Sequence, residues 1–109
     1  MATIEDFQKI EMRVGRIVDV QEVIGARKPS FRLTIDFGPL GTRRSVAAAK
    51  TDYTADELLH RQVVCVLNFP PRRIAGISSE VLVLAATEEG GTLKLLRPDS
   101  EAELGSPIT

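Results

Sequence analysis

At 109 residues, 43% of them hydrophobic and 27% charged, the chain has material for one ordinary domain and no room for a second. No apolar run approaches the roughly 18 residues that cross a bilayer. The opening MATIEDFQKI carries acids where a signal peptide needs bases, and a lone cysteine excludes an internal disulfide or a cysteine-built zinc site. A cytoplasmic protein without membrane insertion is expected.

The net charge of −1 conceals an uneven distribution: residues 9–73 hold 12 Lys or Arg against 7 Asp or Glu, whereas the flanking segments hold 2 against 8. Such a division suits a positive patch on a near-neutral protein, and equally a solvated mixed surface.

In chain order, Thr3 and Asp6 resemble a helix-starting box, with Ile4, Phe7 and Ile10 on one face of a short helix that needs packing to persist. From Met12 to Val23 apolar and polar residues alternate until Gly15, Arg16 and Ile17 disturb the phase, so Gly15 is expected to mark a bulge or bend. FRLTIDF is the clearest strand, with Phe31, Leu33, Ile35 and Phe37 on one face and water on the other. A turn at Gly38–Gly41 leads into a third strand near Thr42–Ala48. Tyr53–Leu59 predicts a short helix with Thr54 as N-cap and Asp56 and Glu57 in its first turn. Val63–Phe69 and Val81–Ala86 are continuous apolar runs of the kind found in central strands covered on both faces. EEGG and TLKLL predict a turn and a further strand, and the acidic tail from Pro98 to Thr109 keeps Leu104 and Ile108.

Five or six short strands with a helix after the third predict an all-β fold: a five-stranded barrel of the oligonucleotide/oligosaccharide-binding (OB) type, with a small β-sandwich as the alternative. Cys65, inside VVCVLNF, reads as an inert buried thiol. His60, beside Arg61 at a helix end, reads as exposed rather than as a general base. With no catalytic triad order, phosphate-cradling glycine motif or metal-ligand set, the expectation is a non-enzyme with no cofactor, metal or small-molecule substrate.

The segment NFPPRRIAGISSEVLVL, from Asn68 to Leu84, carries the functional expectation. Pro70 and Pro71 remove two backbone donors and force the chain out of the sheet. Arg72 and Arg73 follow on a stiffened support, with Phe69, Pro70, Ile74 and Ile77 as apolar neighbours. That mixture suits a ligand with a charged backbone and apolar or aromatic parts, such as RNA or an extended polypeptide. An ordinary connection with solvated arginines is the plainer account, and Glu80 reads as an anchor accepting hydrogen bonds within the loop.

FQKIEMRVGRIVDVQEV (Phe7–Val23), ARKPSFRLTIDFG (Ala26–Gly38) and VVCVLNFPPRRIAGISSEVLVL (Val63–Leu84) together resemble the tRNA-binding-domain superfamily, and within it the CsaA-type export-related chaperones. The resemblance implies the OB barrel, with homodimers built from the segments flanking it. It also implies two ligand classes: unfolded or export-bound polypeptides, and tRNA. Where the tRNA-binding motif reads Asn-Leu-Lys-Pro-Arg and later Ser-Glu-Gly-Met, this chain has Asn68-Phe69-Pro70-Pro71-Arg72 and Ser79-Glu80-Val81-Leu82, a departure toward the chaperone branch. Asn68, Arg72, Ser79 and Glu80 carry over as motif positions. Arg13 and Arg73 are added from charge and proximity, and Arg43, Arg44 and Lys50 as phosphate contacts should the ligand be tRNA.

Overall fold

The computed structural model describes all 109 residues. Two short helices, α1 (Ile4–Gln8) and α2 (Ala55–Leu58), accompany nine strands: β1 (Met12–Glu22), β2 (Phe31–Asp36), β3 (Thr42–Ala47), β4 (Gln62–Val66), β5 (Arg72–Ile74), β6 (Ile77–Ser79), β7 (Leu82–Val83), β8 (Ala85–Thr87) and β9 (Leu93–Leu95). The main sheet has the order β3-β2-β1-β4-β7, every pairing antiparallel, and β5-β6 and β8-β9 form separate hairpins. Contacts from β3 to β6 and β7 bring the sheet round into a nearly closed five-stranded barrel of the OB type. No helix is long and apolar enough to cross a membrane.

The period-two pattern of FRLTIDF is realised directly. Phe31, Leu33, Ile35 and Phe37 are all buried, and the three residues between them are half-exposed. They join Ile17, Leu58, Val63, Cys65, Leu67, Val81 and Leu95 in one core, each large side chain contributing about 1.5–3 kcal/mol by leaving water. Both helices start as their sequences predict. Thr3 with Asp6, and Thr54 with Glu57, form reciprocal capping boxes that satisfy otherwise orphaned N–H groups. α2 lies between β3 and β4 and sends Leu58 into the core.

β1 is long because it serves two partners. Residues 12–16 pair with β4 and residues 16–22 with β2. The irregularity falls at Val18, between Ile17 and Asp19, and not at Gly15, whose pairing with Val63 is unbroken. Gly15 disturbs the phase for a different reason: it faces Ile35 and Phe37 at a distance that leaves no space for a side chain. The edge of β1 that β2 leaves open is taken by the C-terminal segment. Val14 N–H donates to Ser106 C=O (3.0 Å), Gly105 N–H to Val14 C=O (2.8 Å) and Ile108 N–H to Met12 C=O (3.0 Å).

That tail is pinned further by side chains. Gln62 donates to Ala102 C=O (2.7 Å) and accepts its N–H (3.0 Å), while the Arg16 guanidinium grips the Glu101 carboxylate with both terminal nitrogens. The hydrogen bond from Arg16 holds the Glu101 carboxyl below its ordinary value of 4.5. A carboxylate with a depressed folded-state pKa stabilises above its unfolded pKa, and that stability is lost as pH falls through the folded value. The thermal midpoint of Glu101→Gln should therefore lie below that of the parent at about pH 7, and the gap should narrow as pH falls toward about pH 3. Melts at both pH values check this; a gap that persists in acid would assign the tail's anchoring to something other than this charge.

Two apolar runs behave differently from their expectation. Val63–Phe69 was expected to be one strand, but β4 ends at Val66. Beyond Leu67 the Asn68 side chain replaces the backbone ladder: its Oδ1 accepts the Glu11 N–H (2.8 Å) and its Nδ2 donates to Lys9 C=O (2.7 Å). Val81–Ala86 was expected to be covered on both faces. Only Val81 is buried, Leu82 is 42% exposed, and the run is split between β7 and β8. The stretch after the prolines is a hairpin rather than a loop, because Ala75 (φ 50°) and Gly76 (φ 79°) both adopt the left-handed conformation that joins β5 to β6 in a two-residue turn.

Candidate functional site: a basic-rimmed groove at the barrel opening

The prolines act as their chemistry requires. Pro70 and Pro71 separate β4 from β5 and turn the β5-β6 hairpin away from the main sheet. The hairpin is tied back at its base by side chains. Ser79 Oγ accepts the Val46 N–H (2.9 Å), Glu80 Oε1 accepts the Arg44 N–H (2.9 Å), and Glu80 N–H returns a bond to Arg44 C=O (2.8 Å). Ser45 Oγ donates to Val81 C=O at 2.7 Å. Barrel closure between β3 and β6 thus rests on Ser79 and Glu80, and Glu80 anchors the segment as its position suggested.

Between this hairpin, the β1-β2 loop and β7-β8 lies a groove of about 620 Å³. Its floor is aliphatic: Val46 and Ala47–Ala49 from β3 and its continuation, Leu82, Val83 and Ala85 opposite, and Leu93 and Leu95 from β9. Four cations line it, Arg27 and Lys28 from the β1-β2 loop and Arg72 and Arg73 from β5, and no acidic residue does. None of the four makes a salt bridge. Arg73 donates to Gly76 C=O (2.8 Å) and so stiffens its own hairpin. A second lobe of about 460 Å³ shares Ser45, Val46, Arg72 and Leu82 with the first and adds Phe69, Pro70, Pro71, Ser79, Glu80 and Val81. Phe69, 43% exposed, is the aromatic surface of this lobe.

Of the residues singled out from the sequence, Phe69, Pro70, Arg72, Arg73, Ile74, Ser79 and Glu80 come together around the two lobes. Ile77 pairs with Ile74 in the hairpin. Asn68 and Arg13 instead border a separate cavity of about 540 Å³ between α1 and the C-terminal tail. There Asn68 holds Lys9 and Glu11, and Arg13 donates to Gly105 C=O (3.0 Å). Arg43 and Arg44 lie along β3 outside both lobes, and Lys50 pairs with Glu22 at 3.0 Å. Arg27, Lys28 and the Ala47–Ala49 wall were not among the expected residues. The run ARKP between the first two strands and the run AAAK after the third were the available signals, since both fall at strand ends on one side of the barrel.

Neither the cysteine nor the histidine lines the groove. Cys65 is buried and its thiol is pushed up to about 12 by burial, so it stays protonated. His60 is exposed, in the left-handed backbone region (φ 72°), and its C=O accepts a bond from Arg16 (2.8 Å). No group of three or more His, Cys, Asp or Glu side chains is placed to hold a metal ion.

The fold is that of a small OB barrel carrying a largely aliphatic groove lined by four cations. The chain belongs to the putative tRNA-binding domain family, whose model matches residues 12–107. It is similar over its whole length to the crystal structure of chaperone CsaA from Bacillus anthracis str. Ames (43% identity, 99% of that chain covered, TM-score 0.94). A CsaA chaperone protein from Picrophilus torridus is equally similar (44% identity, all of both chains covered, TM-score 0.92). Among curated sequences, 95% of the chain is 42% identical to part of a methionine–tRNA ligase of Thermococcus onnurineus, spanning 14% of that protein's length.

Proposed function

We propose that this chain is a non-catalytic, CsaA-like molecular chaperone that holds unfolded or export-bound polypeptides as a homodimer. The observation that carries the reading is the aliphatic floor of the groove between two pairs of unpaired cations. Apolar side chains of an extended polypeptide would sit on that floor, and its carbonyls or carboxylates would meet Arg72 and Arg73. A stacking platform for bases needs several aromatic faces along the groove, and Phe69 in the second lobe is the only aromatic side chain lining either lobe. Full-length similarity to two CsaA chaperones supports the same choice. The homodimer would use the flanking segments, where Ile4, Phe7, Ile10 and Ile108 border the cavity beside Arg13.

tRNA binding through the basic rim is the second reading, favoured by the family match and by the four cations free of acidic partners. The two separate by salt. Each phosphate neutralised makes log affinity fall by about 0.7–0.9 per log unit of salt, so tRNA binding should weaken steeply and Arg72→Glu with Arg73→Glu should flatten the slope. Suppression of aggregation of a chemically denatured client should survive the same series and should be damaged more by Ile74→Asp. A tRNA shift at low salt with no client protection would overturn the chaperone reading. Sizing of the same sample would reject the homodimer if a monomer persists at micromolar concentration.

A further inference from the structure

We infer that the groove takes its polypeptide as an added β-strand along the end of β3, and that it selects segments with apolar side chains at alternate positions and carboxylates at the flanks. This rests on the polypeptide reading above. The argument begins with the β2-β3 register. The Phe37 N–H bond to Gly41 C=O at 2.9 Å, together with the opposition of Phe31 to Ala47 and Leu33 to Ser45, places the odd-numbered residues of β3 in hydrogen bonding with β2. The N–H and C=O of the even-numbered residues then point the other way, toward the barrel opening.

Along that outward edge the protein supplies partners for only part of the length. Arg44 exchanges bonds with Glu80, and the Val46 N–H is taken by Ser79. Ala48, at the bend directly after β3, is exposed, lines the groove, and has no hydrogen bond on its N–H or its C=O. The edge is therefore covered by side-chain stitches up to Val46 and uncovered where it enters the groove. An exposed edge invites a strand, and main-chain pairing there would recognise backbone without reading a particular sequence.

The groove supplies the selectivity that the edge lacks. In an added strand, side chains alternate between its two faces. One set would lie on Leu82, Val83, Ala85 and Leu95. Outside the apolar floor the ends of the segment would meet Arg27 and Lys28 from the β1-β2 loop and Arg72 and Arg73 from β5, with no acid lining this lobe and none of the four in a salt bridge. Carboxylates at both ends complement that arrangement, whereas Lys or Arg there would be repelled.

The test uses a fluorescent peptide of alternating valine and serine with glutamate at both ends, N-methylated at one position at a time, and anisotropy with the full chain. Methylation removes the donor at that residue, so affinity should fall about tenfold at the position that pairs with Ala48 and little at its neighbours. Amide exchange at Ala48 should slow by about tenfold when the unmodified peptide saturates the protein. Replacing the terminal glutamates by lysine should weaken binding. If the unmodified peptide binds but methylation is tolerated everywhere, or Ala48 exchange does not change, strand addition is overturned while the polypeptide reading stands. A denatured client held without any binding of the peptide also overturns strand addition. If neither peptide nor client is bound and tRNA is, the polypeptide reading itself fails and strand addition fails with it.

Discussion

Gly15→Ala should destabilise the protein by about 2–3 kcal/mol, although alanine is ordinarily the better residue inside a strand by about 0.5–1 kcal/mol. The sign is decided by space. A Cβ on Gly15 would fall 2.5 Å from the Ile35 Cγ2 and 2.7 Å from the nearest carbon of the Phe37 ring. Ile35 and Phe37 are both fully buried, and each is held in β2 or directly after it, so neither has a free direction in which to retreat. Relief would require β1 and β2 to move apart where Arg16 pairs with Asp36 and Ile17 with Ile35, and those two strands organise the rest of the barrel. Urea titration of parent and variant checks the expectation. An unchanged or raised midpoint would mean that the core between β1 and β2 yields far more easily than close packing allows.

The second large effect concerns the Ser-Glu pair carried over by resemblance as a ligand motif. Ser79→Ala with Glu80→Ala should cost about 2–4 kcal/mol in stability, with Ser79 the larger share. Ser79 and Val46 are both buried, so losing the Ser79 oxygen strands the Val46 N–H away from water. Arg44 is exposed, and water can take over its N–H when the Glu80 carboxylate is removed. Glu80→Gln keeps an acceptor oxygen and should restore most of the Glu80 share, because geometry rather than charge is what the bond requires. Because these bonds also hold the hairpin that carries Arg72 and Arg73, the double variant should lose client protection at temperatures where it is still folded. Unfolding midpoints and aggregation assays on the double variant, on each single alanine variant and on Glu80→Gln check both parts. Full stability of the double variant with lost binding would instead make Ser79 and Glu80 direct ligand contacts.

The groove itself was partly legible in advance. The prolines at 70 and 71, the arginines after them and the apolar residues around them declared a stiff, mixed, outward segment, and most of them line the two lobes. Asn68 shows the limit of that reasoning. Its place in the motif suggested a ligand contact, but its amide is used on both sides to replace the ladder where β4 stops. A polar side chain has the same donors and acceptors whether it meets a partner or its own backbone, and residue type cannot separate the two. Arg13 is similar: it was singled out for its charge and proximity to the motifs, and its guanidinium donates to Gly105 C=O in the tail. Arg27, Lys28 and the Ala47–Ala49 wall escaped notice because each is unremarkable alone and gains meaning only opposite the hairpin.

Local patterning by itself determined the elements whose causes are local. Alternation of side-chain size and polarity set the face that β2 buries, since successive residues of a strand point to opposite sides. The Thr-x-x-acid boxes set where both helices begin, since those side chains reach N–H groups three residues away. Only the tertiary structure decided where β1 changes partners, that Gly15 marks a close approach while the irregularity lies at Val18, that residues 105–108 complete the edge of β1, and that Ser79 and Glu80 close the barrel onto β3. The Ser79–Val46 contact spans 33 residues and the bond from Arg13 to Gly105 spans 92. Contacts at such separations depend on how the whole chain closes on itself, and no local pattern encodes which distant donor will face which acceptor.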